Sequence, residues 1–224
     1  MKPPPGLPKA PASPHDPLVL DLTGAGIDLS ALTGSPAYFD FTGSGFARET
    51  GWVKPGEGLL VLDDGQGGTA TVNANNLLGA LSGDAFQELA ALDGNGDGVI
   101  DASDPGFATL RVWVDVGGDG QSAAGELHTL NELGIQSINL ATTDSGARIN
   151  GNTVVATASF TMVNSGNTGT VSRTIAEVNF ATSSLLTVYQ PPAGFHYAPG
   201  ALTLPELDGY GRMPNLLSVM MAPP

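Results

Sequence analysis

The segment DGNGDGVIDASD at 93–104 constrains the fold of this 224-residue chain more than any other stretch. Read as a twelve-residue EF-hand loop, it has oxygen-bearing side chains at positions 1, 3, 5, 9 and 12, and Gly98 at the sharp turn of position 6. Calcium takes about six to eight hard oxygen ligands, and this spacing wraps them around one point. The predicted ligands are Asp93, Asn95, Asp97, Val99, Asp101 and Asp104, of which Val99 contributes its backbone carbonyl.

A second segment, DVGGDGQSAAGE at 115–126, repeats this frame further along the chain. Its predicted ligands are Asp115, Asp119, Gln121 and Glu126. Gly117 and Ala123 stand where positions 3 and 9 would supply side-chain oxygens, so we expect the weaker calcium site here. The alternative for both loops is an acidic, glycine-rich turn that binds no metal.

Three further segments begin with Asp and end with Gly: DLTGAG at 21–26, DFTGSG at 40–45 and DDGQGG at 63–68. They lack acidic residues at most of the ligand positions. The pattern therefore predicts tight turns without metal, in which glycine supplies a positive φ angle.

The charge balance excludes some classes of function. Eight basic residues face 22 acidic ones, for a net charge of −14, which argues against nucleic-acid binding because phosphate contacts need clustered Lys and Arg. The chain has no cysteine, so disulfides and thiolate catalysis are excluded. No apolar run is long enough to predict a membrane span, and no Sec-type signal peptide is seen.

The distribution of residues predicts three regions. Residues 1–16 form a proline-rich linker, 17–181 a folded module and 182–224 a loop-rich extension. The expected fold class is α+β, with small antiparallel β-sheets and hairpins around the pair of EF-hand-like calcium loops, together with short helices. One helix is predicted at 84–92, before the first loop, and another at 127–134.

Four stretches in this order resemble a known family. They are DPLVLDLTGAGI, YFDFTGSGFARETGWVKPGEGLLVLD, LAALDGNGDGVIDASDPGFATLRVWVDVGGDG and GELHTLNELGIQSINL. Together they resemble the self-processing module of FrpC-type RTX proteins of Gram-negative bacteria. The resemblance runs from about residue 15 to residue 180, and the TGWV and GLLVLD pair is not a general feature of calcium loops.

This resemblance implies calcium-triggered cleavage of an Asp-Pro bond at the start of the module, here Asp16-Pro17. The freed Asp16 would then react with water or with a lysine amine, including one from another protein. The resemblance also implies a secreted or cell-surface protein exported by type I secretion, and we expect a monomer. The calcium residues it implies are Asp93, Asp104, Asp115 and Glu126.

The chemistry of Asp-Pro bonds supports cleavage at Asp16-Pro17 independently of the resemblance. An Asp carboxylate can attack its own main-chain carbonyl and form a five-membered cyclic anhydride. Because both groups belong to one residue, little entropy is lost in bringing them together. Proline suits this reaction because its nitrogen is readily protonated as it leaves, and because without an N–H it cannot take the competing succinimide route. The leaving nitrogen needs a proton, for which His15 is a candidate, although a solvated linker histidine is the alternative.

Two rival functions remain open at this stage. The first is a non-enzymatic, calcium-binding spacer in a secreted RTX-type protein or adhesin, in which Asp16-Pro17 is only a domain edge. The second is a toxin or adhesin fragment whose function lies in other segments. Whether the module counts as an enzyme is also open, because it would act once and on itself.

Overall fold

The computed structural model describes residues 15–63, 71–164 and 169–190. The segment before residue 15, most of the DDGQGG loop and the chain beyond residue 190 lie outside this part. The described strands are β1 Leu18–Asp21, β2 Tyr38–Phe39, β3 Phe46–Thr50, β4 Glu57–Leu62, β5 Val99–Asp101, β6 Leu110–Trp113, β7 Leu127–Thr129, β8 Ile135–Asn139, β9 Thr143–Asp144, β10 Arg148–Ile149, β11 Asn152–Val163, β12 Thr170–Asn179 and β13 Thr182–Tyr189. The described helices are α1 Ala85–Ala90 and a 3-10 helix Pro105–Thr109.

Ten of the strands form one antiparallel sheet. Its main path runs β5-β8-β11-β12-β1-β4-β6-β7, and β9 and β10 both pair with β11. A smaller antiparallel sheet has the order β13-β3-β2. The long β11–β12 hairpin therefore joins the two halves of the large sheet.

Strand β1 lies in the middle of the large sheet, between β12 and β4. Every residue of β1 is buried, because hydrophobic clusters cover both faces of the sheet. Val19 packs in the cluster that contains the aromatic residues, whereas Leu18 and Leu20 pack in the cluster that contains α1. This alternation is that of a strand with two buried faces.

The predicted α+β class with EF-hand-like helix pairs is wrong. The described chain is mostly β, and α1 is its only α-helix. After the first loop comes only the short 3-10 helix, which Pro105 begins and which passes directly into β6. The sheets are not uniformly small either, since ten strands share one sheet.

The helix predicted at 127–134 is also wrong. Its first three residues form β7, whose His128 pairs with Val112 of β6, and the remainder is turn. Edge pairing with a buried strand overrides the helical propensity of this short segment, because propensity is a weak determinant of structure at this length.

Other local predictions are confirmed. Helix α1 lies within the segment predicted at 84–92, and the Asp84 carboxylate caps it by accepting the Gln87 N–H at 3.0 Å. The turn predicted at Asn150-Gly151 joins β10 to β11, with φ angles of 50° and 91°. No helix among the described residues is long and apolar enough to cross a membrane.

Candidate functional site

The Asp16-Pro17 bond lies at the entrance to the central strand β1. The Asp16 N–H donates to the Gly79 carbonyl at 3.3 Å, and the Pro17 carbonyl accepts the Val178 N–H at 2.9 Å. Asp16 is only 7% exposed, and Pro17 is buried. The predicted scissile pair is thus built into the sheet on both sides of the bond.

The Asp16 carboxyl group is held by one strand of the long hairpin. The Asn179 side-chain amide donates to its Oδ1 at 2.7 Å. Burial raises the pKa of Asp16, against the Asn179 hydrogen bond and the charge of His15, and the charge of Asp84 adds to the increase. An ionised Asp16 is therefore less stabilised than in water, which makes it a better nucleophile.

Gly79 lies directly against the carbonyl group of Asp16. A Cβ atom at this position would overlap the Asp16 carbonyl oxygen and lie 3.0 Å from its carbonyl carbon. The φ angle of Gly79 is 80°, and its N–H donates to Glu88 Oε2 at 2.8 Å. Only glycine fits here, for reasons of both backbone conformation and space.

His15 lies on the other face of β1 from the Asp16 side chain. Its Nδ1 is 2.7 Å from the Ala80 carbonyl oxygen, which can only accept, so Nδ1 carries the hydrogen. Its ring stacks on Phe41 with centroids 5.6 Å apart. His15 is thus an ordered residue rather than a solvated linker histidine, and its proton on Nδ1 is already donated elsewhere.

Glu177 is a buried carboxyl group beside the scissile pair. It lies in β12 opposite Leu18, is 6% exposed, and accepts the Ala85 N–H on Oε1 at 2.7 Å. Burial raises the pKa of Glu177 to about 7, against the hydrogen bond from Ala85 and with help from the charges of Asp16 and Asp84. Glu177 is therefore largely protonated at slightly acid pH and partly so at neutral pH.

The chain contains a second Asp-Pro bond, Asp104-Pro105, in a different environment. The Asp104 Oδ1 accepts the Gly94 N–H at 2.9 Å, and its Oδ2 accepts the Asp101 N–H at 3.0 Å. Both oxygens of this carboxylate are thus stabilised by backbone donors and turned into the loop. The Asp16 carboxyl accepts instead from a side-chain amide, and burial raises its pKa.

The first acidic loop, 93–104, folds around its two end carboxylates. Asp93 accepts the Gly96 N–H on Oδ1 at 2.7 Å and the Gly98 N–H on Oδ2 at 3.0 Å. Asp104 accepts from Gly94, the second residue of the loop. The first and last predicted ligands therefore both face the backbone of the same loop.

The remaining predicted ligands of this loop are spread along it. The Asn95 side-chain amide donates to Asp97 Oδ2 at 2.9 Å, and Asp97 is exposed. Val99 and Asp101 belong to β5, which pairs with β8, and Asp101 accepts the Ser103 hydroxyl at 2.6 Å. Strand β5 thus connects the loop to an edge of the large sheet.

The second acidic loop, 115–126, has the same backbone arrangement. Asp115 accepts the Gly118 N–H on Oδ1 at 2.6 Å and the Gly120 N–H on Oδ2 at 2.8 Å. Glu126 Oε1 accepts the N–H of Val116, the second residue of the loop, at 3.0 Å. The Asp-to-Gly spacing and the closing carboxylate therefore produce the same turn twice.

Two buried tryptophans connect this second loop to the core. The Trp52 indole N–H donates to Asp115 Oδ2 at 2.7 Å, and the Trp113 indole N–H donates to Glu126 Oε2 at 3.2 Å. Although burial opposes it, hydrogen bonds from Ala123, Trp113 and Val116 hold the pKa of Glu126 below its usual value. The two end carboxylates of this loop are therefore also part of the core.

The other two predicted ligands of the second loop lie at its surface. Asp119 Oδ1 accepts the Gln121 N–H at 2.9 Å. The Gln121 side-chain amide in turn donates to the Tyr38 carbonyl at 3.2 Å, which joins the loop to the smaller sheet.

The loops at 21–26 and 40–45 have the same turn without a closing carboxylate. Asp21 Oδ2 accepts the Gly26 N–H at 2.8 Å, and Asp40 Oδ2 accepts the Gly45 N–H at 2.6 Å. The Thr42 hydroxyl donates to Asp40 Oδ1 at 2.7 Å. These segments are tight turns in the described chain.

The acidic loops have the chemistry of a calcium site but not a closed cluster of charged ligands. Within the described ranges, no three His, Asp or Glu side chains are grouped so that they could hold a metal ion. The donors in both loops are nevertheless hard oxygens, held on one turn of backbone, and calcium coordination also uses amide and main-chain oxygens. This donor set fits calcium better than zinc or another soft metal.

The fold and the loops define a mostly β module with a buried Asp-Pro junction and two acidic turns. The family model for the SPM domain matches residues 18–181 of the chain. The chain therefore belongs to the SPM domain family.

A curated relative agrees with this assignment. The chain is 45% identical over 156 residues to the iron-regulated protein FrpA of Neisseria meningitidis serogroup C. The match covers 66% of this chain and 14% of the relative. An FrpC/FrpA-type family is thus supported, and the chain spans only a small part of that relative's length.

Sequence reasoning missed three residues around the junction: Gly79, Glu177 and Asn179. The two on β12 lie in the segment IAEVNF, where polar residues alternate with buried apolar ones. A carboxylate and an amide on one face of a strand between buried neighbours could have been noticed, because buried polar groups need partners. Nothing local in the sequence indicates that their partner is Asp16.

Proposed function

We propose that this module cleaves its own Asp16-Pro17 bond in a calcium-dependent reaction through a cyclic aspartyl anhydride. The observation that carries the proposal is the environment of Asp16, whose carboxyl group is buried, bound by Asn179 and raised in pKa. Asp104, in the other Asp-Pro pair, has both carboxylate oxygens bound by backbone N–H groups.

The junction favours attack on the carbonyl carbon for two reasons. Hydrogen bonds to Gly79 and Val178 fix the chain on both sides of the bond, so little orientational freedom is lost on reaction. Gly79 also packs so closely against the Asp16 carbonyl that an added Cβ would overlap it, so the Gly79 backbone shields one side of this carbonyl from solvent. Water therefore competes less with the Asp16 carboxylate for that carbon.

The second acidic loop supports the proposed dependence on calcium. Asp115 bonds the Trp52 indole, the Trp52 ring lies 6.1 Å from Phe41, and Phe41 stacks on His15, next to Asp16. Bound calcium would offset the mutual repulsion of the carboxylates in the two loops and so stabilise the folded module. A junction that forms only in the folded module would then be cut only when calcium is present.

The freed Asp16 can be transferred to an amine as well as to water. A lysine of another protein is one proposed acceptor, and in this chain the candidates are Lys2, Lys9 and Lys54. Lys54 forms an ion pair with Asp28 at 3.0 Å, whereas the other two lie outside the described residues. Following the family resemblance, we propose that the module acts in a secreted or surface protein.

Intact-mass analysis after addition of millimolar calcium tests this function. We expect the mass to fall by that of residues 1–16, and Asp16→Ala to remain intact. Asp104-Pro105 is the internal control, because simple acid lability of Asp-Pro bonds would cut both sites. A chain that folds with calcium and keeps its full mass would instead favour the non-enzymatic spacer function.

A further inference from the structure

The cleavage step lacks an assigned proton donor. Departure of the Pro17 nitrogen as an amine requires a proton, and a positioned acid supplies it most effectively. The ionisable groups near the junction are His15, Asp84 and Glu177, which lie around the Asp16 carboxyl, and the half-buried Glu88, whose Oε2 is occupied as acceptor of the Gly79 N–H. His15 donates its Nδ1 hydrogen to Ala80 from the other face of β1, and Asp84 is an exposed helix cap.

Glu177 is positioned differently from these groups. Glu177 and Asn179 lie on either side of Val178 in β12, so their side chains share the face of the strand opposite to that of Val178. The Asn179 side chain reaches the Asp16 carboxyl, which shows that this face looks onto the scissile residue. Glu177 is thus a diagonal cross-strand neighbour of Asp16, within the reach of a long side chain.

We propose that Glu177 donates the proton that the Pro17 nitrogen takes up when the Asp16-Pro17 bond breaks. This role rests on the function proposed above. The Ala85 N–H donates to Oε1 and holds the carboxyl group at the N-terminal end of α1. Burial of Glu177 between β1 and α1 keeps bulk water from replacing it as the acid.

Charge and burial separate the roles of the two carboxyl groups. Burial raises the pKa of Glu177 to about 7, and burial also raises the pKa of Asp16. Part of the Glu177 population therefore holds a proton at neutral pH, as a proton donor requires. In the proposed step the neighbouring Asp16 acts as the ionised nucleophile, so the two carboxyl groups divide the roles of nucleophile and acid.

The bonds and protons of the step balance. A carboxylate oxygen of Asp16 forms a bond to the Asp16 carbonyl carbon, and the bond from that carbon to the Pro17 nitrogen breaks. The proton moves from Glu177 to the nitrogen, which leaves a secondary amine, a cyclic anhydride and an ionised Glu177. Water or a lysine amine then opens the anhydride, and the proton released in that step restores Glu177.

The test is a rate profile for calcium-saturated protein between about pH 5.5 and 9, since a required acid gives a falling limb above its pKa. The wild-type rate should fall as pH rises through about 7, where Glu177 loses its proton. Glu177→Gln keeps the acceptor for Ala85 but cannot transfer a proton. We expect it to cleave at least about 100-fold more slowly and without that limb.

A matched control uses another buried carboxyl group. Burial raises the pKa of Glu57 to about 8, against a hydrogen bond from Asp28, but Glu57 lies at the other end of β1, opposite Asp21. Glu57→Gln should therefore keep the wild-type rate near neutral pH and the limb near pH 7. Glu177→Asp keeps an acid at the site and should retain a falling limb at a reduced rate.

The outcomes separate this inference from the function on which it rests. An uncleaved wild-type chain overturns both. Cleavage of Glu177→Gln at the wild-type rate, with the falling limb intact, overturns the donor and leaves self-processing in place. Tryptophan fluorescence and near-UV circular dichroism establish that each variant folds in calcium. If Glu177→Gln does not fold, absence of the limb in a folded Glu177→Asp overturns the donor.

Discussion

The two acidic loops have nearly the same backbone and different relations to the rest of the molecule. The 93–104 loop carries more predicted ligand side chains, and its Asp97 is exposed to solvent just before the edge strand β5. The 115–126 loop carries fewer, but its Asp115 and Glu126 are 4% and 7% exposed. Buried indoles bind both of these end carboxylates.

This difference teaches that the number of predicted calcium ligands in a loop and the coupling of that loop to the fold are separate properties. The first loop has more predicted ligands, whereas the second loop has more hydrogen bonds to the core. Calcium at the second loop would act on groups that are also core residues. We therefore expect the second loop to control folding and cleavage more strongly, even if it binds calcium more weakly.

The largest effect is expected from a substitution that breaks the connection between the second loop and the core. Asp115→Ala leaves the buried Trp52 indole N–H without its acceptor and should cost about 3 kcal/mol of unfolding free energy in saturating calcium. Asp93→Ala removes more exposed hydrogen bonds and should cost about 1 kcal/mol. Urea unfolding followed by fluorescence measures both.

Asp115→Asn serves as the control for this pair. It removes the charge but keeps an oxygen that can accept the Trp52 N–H. Its loss of unfolding free energy should therefore lie between those of the two alanine variants. Equal losses for Asp115→Ala and Asp93→Ala would contradict the ranking of the loops. The same series, followed by intact mass, should show slower cleavage for Asp115→Ala than for Asp93→Ala.

A medium effect is expected from the glycine at position 6 of each loop. Gly98 and Gly120 have φ angles of 83° and 75°, so alanine at either should cost about 1 kcal/mol. At Gly120 the added Cβ would also lie 2.7 Å from the Tyr38 carbonyl oxygen, whereas nothing lies within 4 Å at Gly98. Thermal unfolding in calcium should therefore show a clearly lower Tm for Gly120→Ala than for Gly98→Ala, and the reverse order would contradict the tighter packing of the second loop.

The smallest effect is expected in a turn without a closing carboxylate. Asp40→Asn retains an acceptor for the Gly45 N–H, so we expect a loss of only about 0.5 to 1 kcal/mol and no change in the number of bound calcium ions. Isothermal titration calorimetry counts the ions, with Asp104→Asn in the first loop as the comparison. Loss of a calcium ion from Asp40→Asn would show that the closing carboxylate is not what distinguishes the two kinds of loop.

Local signals in the sequence predicted local structure well. The capping residue Asp84, the Asn150-Gly151 turn and the apolar run of β1 each specify their conformation through neighbouring residues. The helix predicted at 127–134 failed because β6 supplies a pairing partner that the segment itself does not encode. The EF-hand expectation failed because the loop pattern specifies a turn and says little about the elements on either side of it.

The site was predictable only in part, for the same physical reason. The sequence marks Asp16-Pro17 as a chemically suitable bond, but Asn179, Glu177 and Gly79 reach it through strand pairing and packing between distant segments. Strand register depends on which faces the completed sheet buries, and a shift of one residue would turn Glu177 to the other face. Such information is absent from any single segment.

The pairing of β1 with β12 has a consequence for the order of synthesis, folding and cleavage. Leu18 and its partner Glu177 are separated by about 160 positions, so the junction is completed only after nearly the whole module is present. A nascent or truncated chain that ends before β12 has neither Asn179 nor Glu177 beside Asp16. Under the proposed function, the N-terminal segment would then be released only from a chain in which β12 is present and correctly paired with β1.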